Sequence, residues 1–302
     1  MDTNTQNSQD LQNNSNAVNL QTSENPGIRK HRMVFGIDPS VLHNLGHKHP
    51  QEHWHIPARK VLQHFDNPVL IAATSASEPF AKFVYETVGT ERLYVDSGGY
   101  FLYRKQLKLG ADNPKFHKLC EKIKRSFIRV LKVTKPKEVF ELDNDYFKVS
   151  DDLLSEDNFL RKEIKELTGF WPTPVFKMHQ GFEYWKALCD CDKYPRLSVG
   201  GLAQTNSWKK YGPELKVMVD YAHSKGKKVH FLGGRNIKTF KTAQPDTIDY
   251  NIFFLQICYD KLRKEHPDLL AKGFKYHKTH LVLWAFALAI RDKYMYDTDI
   301  LV

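Results

Sequence analysis

Apolar residues along this chain fall into short runs that recur, with polar and amphipathic stretches between them. Runs rich in β-branched or aromatic residues stand at 33–37 (MVFGI), 69–73 (VLIAA), 93–95 (LYV), 138–142 (EVFEL), 174–178 (PVFKM), 196–199 (RLSV), 228–232 (KVHFL) and 247–250 (TIDY). Each has the length and composition of a strand. Helix-like stretches at 76–89, 115–134, 151–167, 181–190, 210–225 and 236–242 separate most of them. Strands alternating with helices predict parallel βαβ units and an α/β fold. Eight strands in about 220 residues is the count of a (β/α)8 TIM-type barrel, and a doubly wound sheet is the competitor if one strand is miscounted.

The pattern changes at both ends of the chain. Residues 1–27, rich in Asn, Gln, Ser and Thr, hold too little apolar surface to offset their ordering entropy and read as a disordered tail ahead of a 28–302 domain. They lack the basic start and continuous apolar stretch of a signal peptide, and no segment reaches the roughly 18 apolar residues of a membrane helix. The expected location is cytoplasmic, with no membrane partner. Residues 261–296 read as a C-terminal helical extension, with 280–296 apolar nearly all round.

A net charge of +10 favours a polyanionic partner. The stretch 115–137 predicts an amphipathic helix with Leu119, Ile123, Phe127, Val130 and Leu131 inward and a basic outer face, which suits plain solvation or nucleic-acid binding. Cys120, Cys189, Cys191 and Cys258 form no regular framework, as expected of free thiols, and the Cys189–Cys191 pair reads as a helix end followed by a turn. A His-rich segment, 43–55, reads as a strand-connecting loop that faces substrate, with metal binding as the alternative.

Candidate chemistry collects where strands end: Asp96-Ser97-Gly98-Gly99, Asp143-Asn144-Asp145, His179-Gln180-Gly181, Gly200-Gly201-Leu202-Ala203, Gly233-Gly234 and Asp249. A barrel gathers all six around one mouth, where glycines admit a flat ligand and carboxylates supply acid/base or nucleophilic groups. Singly, each has a plainer reading. DSGG is a turn whose Asp or Ser caps the next helix, DND is a loop cap or a divalent-metal set, and the glycine pairs are tight turns. Neither GxGxxG, GxxxxGK[ST], HExxH nor GxSxG occurs, which removes the usual nucleotide-cofactor, zinc-protease and serine-hydrolase signatures.

Taken in order, "VDSGGYFL" (95–102), "LDND" (142–145), "MHQGF" (178–182), "VGGLAQT" (199–205), "FLGG" (231–234) and "DTIDYN" (246–251) resemble the motif series of the tRNA-guanine transglycosylase superfamily, over about 160 residues. The resemblance implies Asp249 as nucleophile on the sugar C1′ and Asp96 as general acid/base. It also implies that Asp143 and Gln180 read the edges of the base, with Ser97, Gly98, Gly99, Gly181, Gly200, Gly201, Leu202 and Ala203 around it and Tyr100 stacked on its plane. Asp246 is the rival nucleophile, and the family's spacing favours Asp249. Retained configuration calls for two displacements, so two acids suffice, and a purine out of its stack needs an aromatic platform.

Departures from the pattern direct the reading further. Phe101 replaces the family's Gln, Phe182 the second Gly of QGG, and Thr205-Asn206 its Gly-Glu; after Asp249 a single Cys258 stands where the zinc-binding CxCxxC and His belong. That set is most similar to the zinc-less phage and bacterial branch that inserts 7-deazaguanines into DNA. The expectation is a base-exchange pentosyltransferase with no metal and no cofactor, whose substrates are DNA and a free 7-deazaguanine base. A shortened tRNA enzyme and a non-catalytic nucleic-acid-binding barrel are the alternatives, and a homodimer is an open question.

Overall fold

The structure, a computed structural model, describes residues 33–37, 62–63, 68–74, 76–202, 207–233 and 242–250, all inside one compact unit, His31–Val302. The expected tail 1–27, the His-rich segment 43–55, Ala203, most of the helix expected at 236–242, Cys258 and the helices expected at 261–296 lie outside the described residues.

Eight strands form one parallel sheet: β1 (Met33–Ile37), β2 (Val69–Ala72), β3 (Leu93–Asp96), β4 (Glu138–Val139), β5 (Val175–Phe176), β6 (Arg196–Val199), β7 (Lys228–Phe231) and β8 (Thr247–Tyr250). Their order is β4-β3-β2-β1-β8-β7-β6-β5, so β1 pairs with β8 and the sheet's end strands, β4 and β5, are consecutive in the chain. A parallel bridge, Phe140 to Thr173, joins those two, through Thr173 N–H to the Val139 carbonyl (2.8 Å) and Glu141 N–H to the Thr173 carbonyl (3.1 Å).

Side-chain alternation splits the sheet into two faces. Val69, Ile71, Leu93, Val95 and Val139 pack under α1 (Glu78–Val88) and α3 (Pro114–Val133) in one apolar cluster. Leu197, Val199, Val229, Phe231 and Ile248 pack under α5 (Phe182–Asp190) and α6 (Ser207–Ser224) in a second. Val34, Leu70, Tyr94 and Val175 of four strands, with Phe140 just after β4, form a third cluster of their own. Toward the start of the strands an ionic layer adjoins it: Arg196 donates to Glu138 (2.6 Å) and to the Tyr94 hydroxyl (3.2 Å), and Thr173 Oγ1 donates to Glu138 (2.9 Å).

Two elements differ from expectation. Residues 99–109, not read as helical from the sequence, form α2 (Gly99–Leu109), whose buried residues are Gly99 and Leu102. With most of its length exposed, it carries no continuous apolar stripe to betray it. Conversely, the helix expected over 151–167 is confined to α4 (Arg161–Thr168). The Asn158 side chain accepts the Val149 and Ser150 N–H groups (2.7 and 2.9 Å) and donates to the carbonyls of Ser150 and Asp152 (3.0 and 2.8 Å), which holds the preceding stretch as a loop. The amphipathic helix is present as α3, with Phe116, Cys120, Ile123, Phe127, Val130 and Leu131 buried and Leu119 half-buried.

Arg161 and Glu141, both buried, tie this loop to the sheet. Arg161 Nε donates to Glu141 Oε2 at 2.6 Å, and its remaining nitrogens reach the carbonyls of Leu153 (2.6 Å) and Ser155 (3.1 Å) and the Tyr184 hydroxyl (3.2 Å). Glu141 Oε1 accepts the Val175 N–H at 2.8 Å, so a side chain supplies a bond that the short β4 cannot. Among the described residues, no helix is long and apolar enough to cross a membrane.

Candidate active site

Asp96 is the last residue of β3 and Asp249 the third residue of β8, while Asp143 follows β4; parallel strands deliver all three to the same, carboxyl-terminal side of the sheet. Asp96 senses the other two. Burial, followed by the charges of Asp143 and Asp249, pushes the Asp96 carboxyl up to about 8, against the pull of the Gly98 and Ser97 backbone N–H groups. Burial also raises Asp143, to about 6, although nearby Lys177 opposes it; Glu141 pushes it up, and the Ser97 hydroxyl pulls it down.

Asp143 is held on several sides. Ser97 Oγ, fully buried, donates to Asp143 Oδ1 at 3.3 Å, and Lys177 Nζ donates to the Asp143 backbone carbonyl at 2.6 Å. Both neighbouring glycines make room. A Cβ at Gly99 would overlap the Asp143 carboxylate, and one at Gly200 would lie 2.7 Å from Val175 Cγ1 and 3.6 Å from Asp143 Oδ2. Gly98, at φ +80°, caps α2 without any side-chain hydrogen bond, and a Cβ there would overlap Thr74. The glycine pair of DSGG therefore makes room for the protein's own Thr74 and Asp143. Neither Asp96 nor Ser97 caps the helix, so the plain capping account of DSGG does not describe this turn.

Asp249 is buried, and its Oδ1 accepts the Gly233 backbone N–H. His230 Nε2 lies 3.5 Å from the same oxygen, within electrostatic reach but without a hydrogen bond. The His230 ring, fully buried, is held from its other side: Nδ1 sits 2.8 Å from Thr247 Oγ1, and the ring leans on Phe140 at 4.8 Å between centroids. With Thr247 donating to Nδ1, the ring proton sits on Nε2, 3.5 Å from Asp249 Oδ1. Asp246 stands three residues earlier, toward the opposite end of β8. It accepts the Val229 N–H (2.8 Å) and pairs with His223 Nε2 (2.9 Å), a structural tie between β7 and β8.

The remaining expected residues are distributed unevenly. Gln180 is half-buried with Oε1 accepting the Lys177 N–H (2.7 Å). Gly181 precedes α5; Gly201, exposed and at φ +77°, has open space where a Cβ would be. Leu202 is buried in the cluster under α5 and α6. Tyr100 lies in the first turn of α2 with 43% of its surface exposed. Asn144 caps a short 3-10 turn by accepting the Tyr146 N–H at 3.0 Å, which fits the loop-cap reading of DND, and Asp145 is exposed.

Lys177, His230 and Thr74 were not singled out from the sequence. Lys177 and Thr74 lie just beyond strand ends, and His230 is an inward position two residues before Gly-rich "LGG"; such alternation is the signal that would have found it. Cys189 is buried, with its thiol pushed up to about 12 by burial and then by Asp190, and Cys191 ends α5. Among the described residues, no group of three or more His, Cys, Asp or Glu side chains is arranged to hold a metal ion.

No known protein family and no curated protein matches this chain. The assignment of chemistry rests on the three carboxylates.

Proposed function

We propose that the protein is a base-exchange transglycosylase that replaces guanine in DNA with a 7-deazaguanine such as 7-cyano-7-deazaguanine, on a closed (β/α)8 barrel with a C-terminal helical extension. The barrel is supported by the pairing of β1 with β8, the Phe140–Thr173 bridge beside the end strands, and the separate cluster of Val34, Leu70, Tyr94, Phe140 and Val175. The observation that carries the chemistry is an Asp96 carboxyl pushed up to about 8 beside a buried carboxylate, Asp249, held by a backbone N–H. A pair of acids in unlike environments suits one to proton transfer and the other to attack.

Asp249 attacks C1′ of the target nucleotide and forms an ester as the C1′–N9 bond breaks; the departing guanine takes a proton from Asp96. Asp96, now a carboxylate, accepts the N9 proton of the incoming 7-deazaguanine. N9 attacks C1′, the ester C–O bond breaks, and Asp249 returns as a carboxylate. Two inversions retain the configuration and leave the strand intact. Asp143, with Ser97 and Lys177 around it, and the Gln180 amide suit polar recognition of base edges, while Tyr100 offers an exposed ring for stacking.

Incubation with DNA or with tRNA and a radiolabelled 7-deazaguanine, followed by digestion to nucleosides, tests the reading. Label in DNA nucleosides and not in tRNA is expected. Label in tRNA alone transfers the reading to a tRNA enzyme, and label in neither overturns it.

A further inference from the structure

The chain's excess positive charge is not spread over its surface. The connection from β3 to β4, residues 97–137, contains twelve Lys or Arg and two acids, Asp112 and Glu121. The whole chain has 45 Lys or Arg and 35 Asp or Glu, so the remainder holds 33 of each, and this single connection accounts for the entire net charge of +10. Two helices, α2 and α3, hold ten of the twelve basic residues.

On α3 the basic residues are ordered. Lys115, Lys118, Lys122, Arg125, Arg129 and Lys132 are all exposed and follow one another at three- and four-residue steps, which places them in one stripe along the helix. Arg129 pairs with Glu78 (3.4 Å), but no carboxylate among the described residues pairs with the other five. A merely solvated helix face usually mixes signs, because like charges at these spacings repel. Glu121, the one acid of α3, stands at the edge of the stripe, three residues after Lys118 and four before Arg125, and accepts from the Tyr146 hydroxyl at 3.2 Å.

The stripe is also anchored to the candidate site. The backbone of Gly99, first residue of α2, abuts the Asp143 carboxylate, and Asn144 Nδ2 donates to Gln106 Oε1 on α2 at 3.2 Å. Phe116 of α3 packs edge-on against Tyr146, three residues after Asp143.

We infer that the outer face of α2 and α3 is a docking surface for the phosphate backbone of duplex DNA, with the α3 stripe as its track. From Lys115 to Lys132 the stripe runs about 26 Å at the helical rise of ~1.5 Å per residue, roughly the length of seven to eight base pairs at ~3.4 Å each. Lys and Arg side chains at helical spacing neutralise phosphates without reading bases, so the surface holds the duplex and leaves sequence to other contacts. The choice of DNA over another polyanion rests on the reading given above; the concentration of charge does not.

The test is equilibrium binding of a fluorescein-labelled 20-base-pair duplex to the full chain over a range of salt concentrations. Two four-site variants of equal charge are compared. One carries Lys115→Gln, Lys118→Gln, Lys122→Gln and Arg125→Gln; the other carries Lys82→Gln, Lys162→Gln, Lys193→Gln and Lys225→Gln, which are exposed sites off the stripe. Circular dichroism and thermal melting verify that both fold. The stripe variant should bind at least ~30-fold more weakly near 100 mM salt, and its slope of log affinity against log salt should fall by about 3 to 4, at ~0.9 per lost phosphate contact. The control should stay within about threefold of the unaltered protein. Equal losses in both variants, no loss in either, or binding to anionic phospholipid vesicles without binding to DNA would overturn the surface. Because the assay needs no turnover, exchange that fails while docking persists removes only the proposed chemistry.

Discussion

A carboxyl pushed up to about 8 keeps a proton that the unfolded chain releases near pH 4, so Asp96 makes the native state progressively less stable as pH rises through that window. The penalty is absent below pH 4 and complete above pH 8. Asp96→Asn removes the titration, so its melting temperature should exceed that of the unaltered protein by the widest margin at pH 8.5 and by the narrowest near pH 4; calorimetry across that range checks it. A constant margin would mean that the acid does not titrate there. Under the proposed chemistry the same proton is the one the departing guanine takes. Under the proposed chemistry kcat/KM should fall as pH rises through about 8, since Asp96 must be protonated when guanine leaves. His230 belongs to the same scale. His230→Phe keeps the ring against Phe140 and removes the Nε2 contact to Asp249, so under the proposed chemistry kcat should drop by roughly threefold to tenfold with KM nearly unchanged. Gly99→Ala would overlap the Asp143 carboxylate and should cost about 1–3 kcal/mol of stability in a denaturant titration.

Among elements, the strands were the most legible part of the sequence, because buried parallel strands are written as short runs of Val, Ile, Leu and Phe. β1, β6 and β8 have the bounds the runs predict, while β4 and β5 shrink to two residues each. The shortfall has a physical cause that no local pattern records: the Glu141 side chain, 34 residues from Val175 in the chain, takes over a backbone bond between them. The unexpected helix α2 was hidden in another way, since Gly98 and Gly99 read as a turn and the helix beyond them buries little. The acids of the candidate site were visible as strand-end residues, yet the push of Asp143 and Asp249 on Asp96 and the protein-filled room above Gly98 and Gly99 depend on neighbours distant in the chain. The Arg161–Glu141 pair gives this scale its prediction. Arg161→Met leaves a buried carboxylate without its counter-charge and should cost about 3–5 kcal/mol; the double variant Arg161→Met/Glu141→Gln, which retains an acceptor for Val175, should recover part of it. Chemical denaturation of the three proteins measures the difference.

For the whole molecule, one connection follows β3 and does two jobs. It leaves the sheet at Asp96, makes room for Asp143 at Gly99, and then carries the chain's net charge along α2 and α3. A polyanion drawn to that face would meet the acids at the strand ends beside it, which joins the charge distribution to the proposed chemistry. The central claim is a covalent bond between Asp249 and the sugar of DNA. Mass spectrometry of tryptic peptides, after incubation with duplex DNA, acid quench and nuclease digestion, reads it directly. The account predicts a deoxyribose-containing adduct on the peptide bearing Asp249, absent from Asp249→Asn and strongly reduced in Asp96→Asn. Base exchange without an adduct, or exchange undiminished in Asp249→Asn, would contradict it.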